Sequence, residues 1–160
     1  MLTTSFPYRF WQAAVGIAVL LAGGCAAPAP PSTLAALPPV PAGNARFWFY
    51  RVFFPEDTQD MPAISMNGTP VGYALAGASF YRDLPAGQYH VTVASYGQDY
   101  DQSKDVAVAP GQNIFVKIVS LPSWEASSRG GYRLGTYYAT IVPPQLAAFE
   151  VPQTSYSGGN

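Results

Sequence analysis

Few residues of this chain are equipped for chemistry. The sole histidine, His90, sits inside the run QYHVTV among apolar neighbours, so a multi-histidine metal site or mechanism cannot be assembled and a structural side chain is expected. The only thiol is Cys25, and no G-x-S-x-G elbow, H-E-x-x-H helix or P-loop occurs, so no catalytic residue is assigned. One pattern suits a cation: Asp99, Asp101, Ser103 and Asp105 alternate along one loop, as oxygen ligands would around calcium if that loop curled. Lys104 stands at the sharp-turn position and Pro110 where a bidentate glutamate belongs, which favours a solvated hairpin loop over an EF-hand. A second pattern suits a partner. In LPSWEASSRGGYRLGTYY, Trp124, Glu125 and Arg129 combine apolar area with directional polar groups, and Trp124 follows Pro122 in what reads as an exposed loop. Tyr100, in the acidic loop, joins them as a candidate contact, whereas Tyr132, Tyr137 and Tyr138 read as core aromatics of a strand.

The elements that must position these groups read as short strands. ARFWFYRVFF places Phe47, Phe49, Arg51 and Phe53 on one face and Trp48, Tyr50, Val52 and Phe54 on the other, which predicts a central strand covered on both sides. PAISMNGTPVGYAL predicts a hairpin closed at Asn67-Gly68; the sequon Asn67-Gly68-Thr69 is better explained by that turn. ASFYRDL and QYHVTVASYG predict a second hairpin about Pro85-Ala86-Gly87. KDVAVA, a turn at Pro110-Gly111, QNIFVKIVSL and GYRLGTYYATIV follow. Seven or eight such strands with no amphipathic helix predict an all-β, antiparallel β-sandwich over residues 45–142, with an open barrel as the alternative. Residues 143–160 read as a flexible polar tail after Pro143-Pro144. If strand direction alternates, the tight turns gather at one end with the start of the first strand. The longer loops at 55–61, 75–78, 97–103 and 121–131 gather at the other.

Composition and targeting set the compartment. Residues 1–24 carry Arg9 and an apolar run from Phe10 to Leu21, the length of a signal-peptide core and short for a bilayer span. The remainder holds seven basic against nine acidic side chains, a formal charge of −2, so a basic nucleic-acid footprint is absent. Residues 26–44, AAPAPPSTLAALPPVPAGN, hold six prolines and no charge and read as a semi-rigid spacer, on the order of 60 Å if fully extended at about 3.1 Å per residue. Leu20-Leu21-Ala22-Gly23-Gly24-Cys25 resembles the lipobox of bacterial lipoproteins, with Ala22 where leucine is usual. That resemblance implies a signal peptide over 1–24, a covalent lipid on Cys25, a tether over 25–44 and, from Ala26, an outer-membrane address.

A second resemblance covers about residues 45–120. The blocks ARFWFYRVFF, ISMNGTPVGYAL, FYRDLPAGQYHVTV and VAPGQNIFVKI resemble a family of bacterial lipoproteins catalogued as a domain of unknown function, with Arg51 matching its strand arginine and Gly68, Gly87 and Gly111 its turns. The turn grammar is also similar to PEGA and carboxypeptidase-regulatory domains. These are fold-making positions, so they imply an envelope sandwich and carry over no catalytic residue. The expected function is a lipid-anchored, non-enzymatic envelope protein that binds or braces an envelope protein or cell-wall glycan, with its domain in the periplasm or at the cell surface. The alternatives are a carbohydrate- or calcium-dependent binding module and, third, an envelope hydrolase.

Overall fold

The computed structural model describes residues 37–95, 103–127 and 130–159, with the backbone alone over 122–134. The aromatic run forms β1 (Asn44–Arg51), followed by β2 (Ala63–Met66), β3 (Thr69–Tyr73), β4 (Ala78–Pro85) and β5 (Gly87–Val93). Then come β6 (Ser103–Val108), β7 (Asn113–Ser127) and β8 (Gly130–Val142), a helix α1 (Pro144–Glu150), a 3-10 turn (Val151–Gln153) and the two-residue β9 (Ser155–Tyr156). They make two sheets, of order β8-β7-β1-β4-β9 and β3-β2-β5-β6. The sheets share one core. Phe47, Phe49, Val116, Ile118, Tyr137 and Ala139 of the first meet Ile64, Met66, Val91, Val93 and Val108 of the second.

β1 is the middle strand of its sheet and is buried on both faces, as its doubly apolar pattern predicts. Phe47 and Phe49 face the shared core, while Trp48 and Tyr50 join Tyr81, Phe115, Val142, Ala147 and Val151 in a second apolar layer on the outer face. That layer corrects the expectation of a flexible tail. Pro143-Pro144 does stop β8, but a proline is equally at home at the first helical position, and Pro144 starts α1. The helix then lays Ala147, and the turn lays Val151, over Trp48 and Tyr50. Glu150 fastens it by accepting hydrogen bonds from Tyr50 Oη, at 2.7 Å, and from Lys117 Nζ.

Two sequence-based pairings are also corrected. β4 and β5 do not form a hairpin: the Pro85–Gly87 turn carries the chain from one sheet to the other, and the Pro110-Gly111 turn carries it back from β6 to β7. β7 therefore returns running the same way as β1 and pairs with it in parallel, Arg46 opposite Asn113 through Tyr50 opposite Lys117. β9 is parallel to β4, so the five-stranded sheet is mixed. The Asn67-Gly68 hairpin forms as expected, with φ of 49° and 79° at its two turn residues.

The described connections sort as strand alternation predicts, although residues 97–102 lie outside the described residues and 121–127 are strand and not loop. At the proximal end, where residues 37–43 join β1, Ala86 N donates to Gly43 O and Gly111 N to Asn44 O. At the distal end, Gly77 N donates to Arg51 O, Ala74 N to Pro62 O and Ala94 N to Ala63 O. The β7–β8 ladder continues past the last β1 pair to Ser127 opposite Gly130. From Leu121 opposite Thr136 outward it is a two-stranded ribbon about 20 Å long at the usual strand rise, leaving the distal end.

Candidate binding surface at the distal end

The distal loops are assembled on Arg51. Strand alternation turns its side chain into the core side of β1, where it is 1% exposed, so every guanidinium N–H needs a partner. Nη1 donates to Asp60 O (2.9 Å) and Ala74 O (3.2 Å), and Nη2 to Thr58 O (3.1 Å), drawing two loops, 52–62 and 74–77, onto one group. Asp57 Oδ2 approaches Nη2 at 3.3 Å, off hydrogen-bond geometry, so the pair is a charge contact more than a directed bond. The guanidinium also lies 4.9 Å from the centre of the Tyr137 ring. Tyr137 Oη meets Thr58 Oγ1 and lies 3.4 Å from Asp60 Oδ2. Burial pushes the Tyr137 hydroxyl above the ordinary phenol range, partly offset by Thr58 and Arg51, so it stays protonated. Three main-chain carbonyls hold the two Nη groups, while the buried Nε has no hydrogen-bond partner among the described residues, so Arg51 braces the two loops without being fully satisfied.

That brace displays an apolar rim. Phe53, Phe54, Met61, Tyr73 and Leu75, from the same two loops and the end of β3, are 41–60% exposed. Gly77, at φ +72°, lets the second loop turn back with its Cα side against Phe53, where a Cβ would stand 3.1 Å from the Phe53 Cβ. Beside the rim, the flank between the two sheets opens into a recess of about 340 Å³ that shares Tyr73 and Leu75 and is floored by Phe80. Arg82 lies across its wall, 5.0 Å over the Phe80 ring, with Nη1 donating to Tyr81 O. The distal end thus places exposed apolar area beside one arginine.

The residues singled out from sequence are distributed unevenly around this surface. Trp124 and Glu125 are not in a loop: residues 121–127 are strand, and Trp124 pairs with Arg133 and Glu125 with Tyr132 on the ribbon. GYRLGTYYATIV forms the expected last strand, but it pairs along its whole length with β7, so residues 121–127 of the expected 121–131 loop are ladder. Arg129, Tyr100, Asp99 and Asp101 lie outside the described residues. Ser103 and Asp105 are in β6, opposite Thr92 and His90, so half of the proposed calcium loop is extended ladder and cannot curl around an ion. Asp105 Oδ1 instead meets His90 Nδ1 at 2.7 Å on an exposed face, which gives His90 its partner. Among the described residues no group of three or more metal-capable side chains forms.

The rim itself was missed because Phe53 and Phe54 continue the alternation of β1, whereas the strand stops at Arg51 and the two phenylalanines turn outward. Pro55 was the signal, since the residues before a proline in a run of strand type are free to leave the ladder. No protein-family model, no curated protein and no solved structure matches the chain, so its fold and its site stand on their own geometry.

Proposed function

We propose that this is a lipid-anchored, non-enzymatic module of the bacterial cell envelope, a β-sandwich tethered through Cys25, whose distal rim holds an envelope protein. One observation carries the binding role: five large apolar side chains stand exposed on loops fixed by a buried arginine, at the end opposite the tether. Rigid loops displaying apolar groups bind with little ordering cost. The ribbon bearing Trp124 and Glu125 leaves the same end, and Arg129 and Tyr100 remain candidate contacts with it. The anchor rests on residues 20–25 and the apolar run before them.

The test places a photo-crosslinking residue at Phe54, at Tyr73 or, as a control, at Gln88, which is exposed at the proximal end of β5. Irradiation in native membranes is expected to give one discrete protein adduct from positions 54 and 73 and none from 88. The same pattern from all three positions ends the reading of the rim. An adduct to peptidoglycan alone transfers it to the glycan alternative. Independently, Cys25→Ala is expected to abolish palmitate incorporation, and equal labelling of both proteins would remove the anchor.

A further inference from the structure

The recess beside the distal rim holds a cation that the fold does not pair. Arg82 stands opposite Phe47 in the β1–β4 ladder, and Phe47 faces the shared core, so strand alternation turns Arg82 to the core side of its sheet. It is half-buried there, in the flank where residues of β3 and β4 line one recess. The guanidinium lies over the Phe80 ring and spends Nη1 on Tyr81 O. Among the described residues the ion pairs run from Arg46 to Asp83, Arg51 to Asp57, His90 to Asp105 and Lys117 to Glu150, and no carboxylate reaches Arg82. That leaves Nε and Nη2 open to an incoming acceptor.

The wall across from Arg82 is a strand edge. β3 is the end strand of the sheet β3-β2-β5-β6, so one side of its backbone has no neighbouring strand among the described residues. Pro70 fits such a position, because a proline in a ladder belongs on an edge. At Gly72 the main chain rests on the floor of the recess, where a Cβ would overlap the Phe80 ring. The missing side chain of Gly72 therefore lies on the core side of β3. Residues directly opposite each other in a ladder share a face. A strand added to the free edge of β3 thus sets the side chain opposite Gly72 over Phe80 and beside Arg82.

We infer that the free edge of β3 takes up an extended segment of the partner protein, and that this segment carries an Asp or Glu whose carboxylate pairs with Arg82 inside the recess. The inference rests on the binding role proposed for the distal end and adds the chemistry that enters beside the rim. Main-chain pairing supplies the attachment, and the recess selects the side chain at one alternate position. Charge complementarity decides against a second copy of this chain. The described residues that line the recess include no carboxylate, so two copies meeting edge to edge about a two-fold axis bring arginine towards arginine.

The experiment uses the full chain in native membranes, with the photo-crosslinking residue at Tyr73 and, in parallel, at Phe54 on the rim. Mass spectrometry of the position-73 adduct is expected to place the crosslink within about three residues of an Asp or Glu. Arg82→Glu should lower the position-73 yield about ten-fold or more, and Arg82→Lys should keep most of it. Lysine in place of the mapped acid should then restore the yield of Arg82→Glu, which a misfolded variant cannot do. Proline carried through the mapped segment should block capture at alternate positions, where an N–H pairs with β3. Full yield at both positions with Arg82→Glu overturns the inference and leaves the rim reading standing. No adduct from either position in the chain with Arg82 intact overturns both. A loss that the charge swap does not restore marks Arg82 as structural and overturns the inference. So does a crosslink to a second copy, to glycan or to a segment without Asp or Glu, and so does proline tolerance throughout the segment.

Discussion

Replacing Arg51 by methionine tests whether one buried cation assembles the distal loops. Methionine keeps most of the aliphatic stem, so the apolar packing changes little and the loss is polar. Three carbonyls, of Thr58, Asp60 and Ala74, lose their donors, and the Asp57 carboxylate, with its side chain 3% exposed, loses the positive charge beside it. An unsatisfied buried polar group costs about 1–3 kcal/mol, and breaking a buried ion pair about 3–5 kcal/mol. The loops can open to let water reach the carbonyls, so the terms do not add. A net loss of about 3–5 kcal/mol is expected, which for a domain of this size lowers Tm by roughly 10–20 °C. Urea denaturation followed by tryptophan fluorescence measures it. Asp57→Asn in the Arg51→Met background removes the stranded charge and should recover about 1–2 kcal/mol of the loss. Because Asp57 Oδ2 is off hydrogen-bond geometry, the recovery is expected to be partial. A loss below about 1 kcal/mol for Arg51→Met would refute the brace.

The remaining expectations concern other parts of the fold. Burial first, and then Glu150, raise the Tyr50 hydroxyl well above the ordinary phenol range, and burial also raises Tyr137. Unfolded tyrosines lose their protons near pH 10 while these keep theirs, so stability should be full below pH 10 and fall above it by about 1.4 kcal/mol per pH unit per tyrosine. Tyr50→Phe should shallow that slope, and an unchanged slope in denaturation curves between pH 9 and 11.5 would show that Tyr50 ionises as freely as in the unfolded chain. Truncation after Pro143 removes Ala147, Val151 and Glu150 and bares Trp48 and Tyr50, so it should lower Tm by more than 10 °C, on the order of 3 kcal/mol or more, and increase dye binding to apolar surface. A Tm unchanged by the truncation would mean that the segment is dispensable to the fold. A Cβ on Gly135 would overlap the Tyr137 ring, so Gly135→Ala should cost about 1–3 kcal/mol by displacing the ring that stacks on Arg51, measured by the same urea titration.

What the sequence determined by itself was local. Alternation marked the strands, the doubly apolar β1 announced a central position, and Asn67-Gly68 and Pro110-Gly111 marked turns, because backbone conformation and the exposure of alternate faces depend on a residue and its near neighbours. Strand alternation also predicted which of the described connections share an end. The choice of partner strand was decided only in three dimensions. Pro85-Ala86-Gly87 can close a hairpin or cross between sheets, and it crosses because Phe47, Phe49 and Phe80 in one sheet and Val91 and Val93 in the other bury more apolar surface face to face than an extended ladder would. The seven-residue α1 was too short, with a single buried Ala147, to show helical periodicity, and it exists because the outer face of β1 needs a cover. The site followed the same division. Phe53 and Phe54 read as strand until the end of the ladder at Arg51 turned them outward, and Arg51 became a brace only when the carbonyls of residues 58, 60 and 74 converged on it from two loops. Burial of a charge is a property of the assembled core, which supplies partners from positions that no local pattern connects.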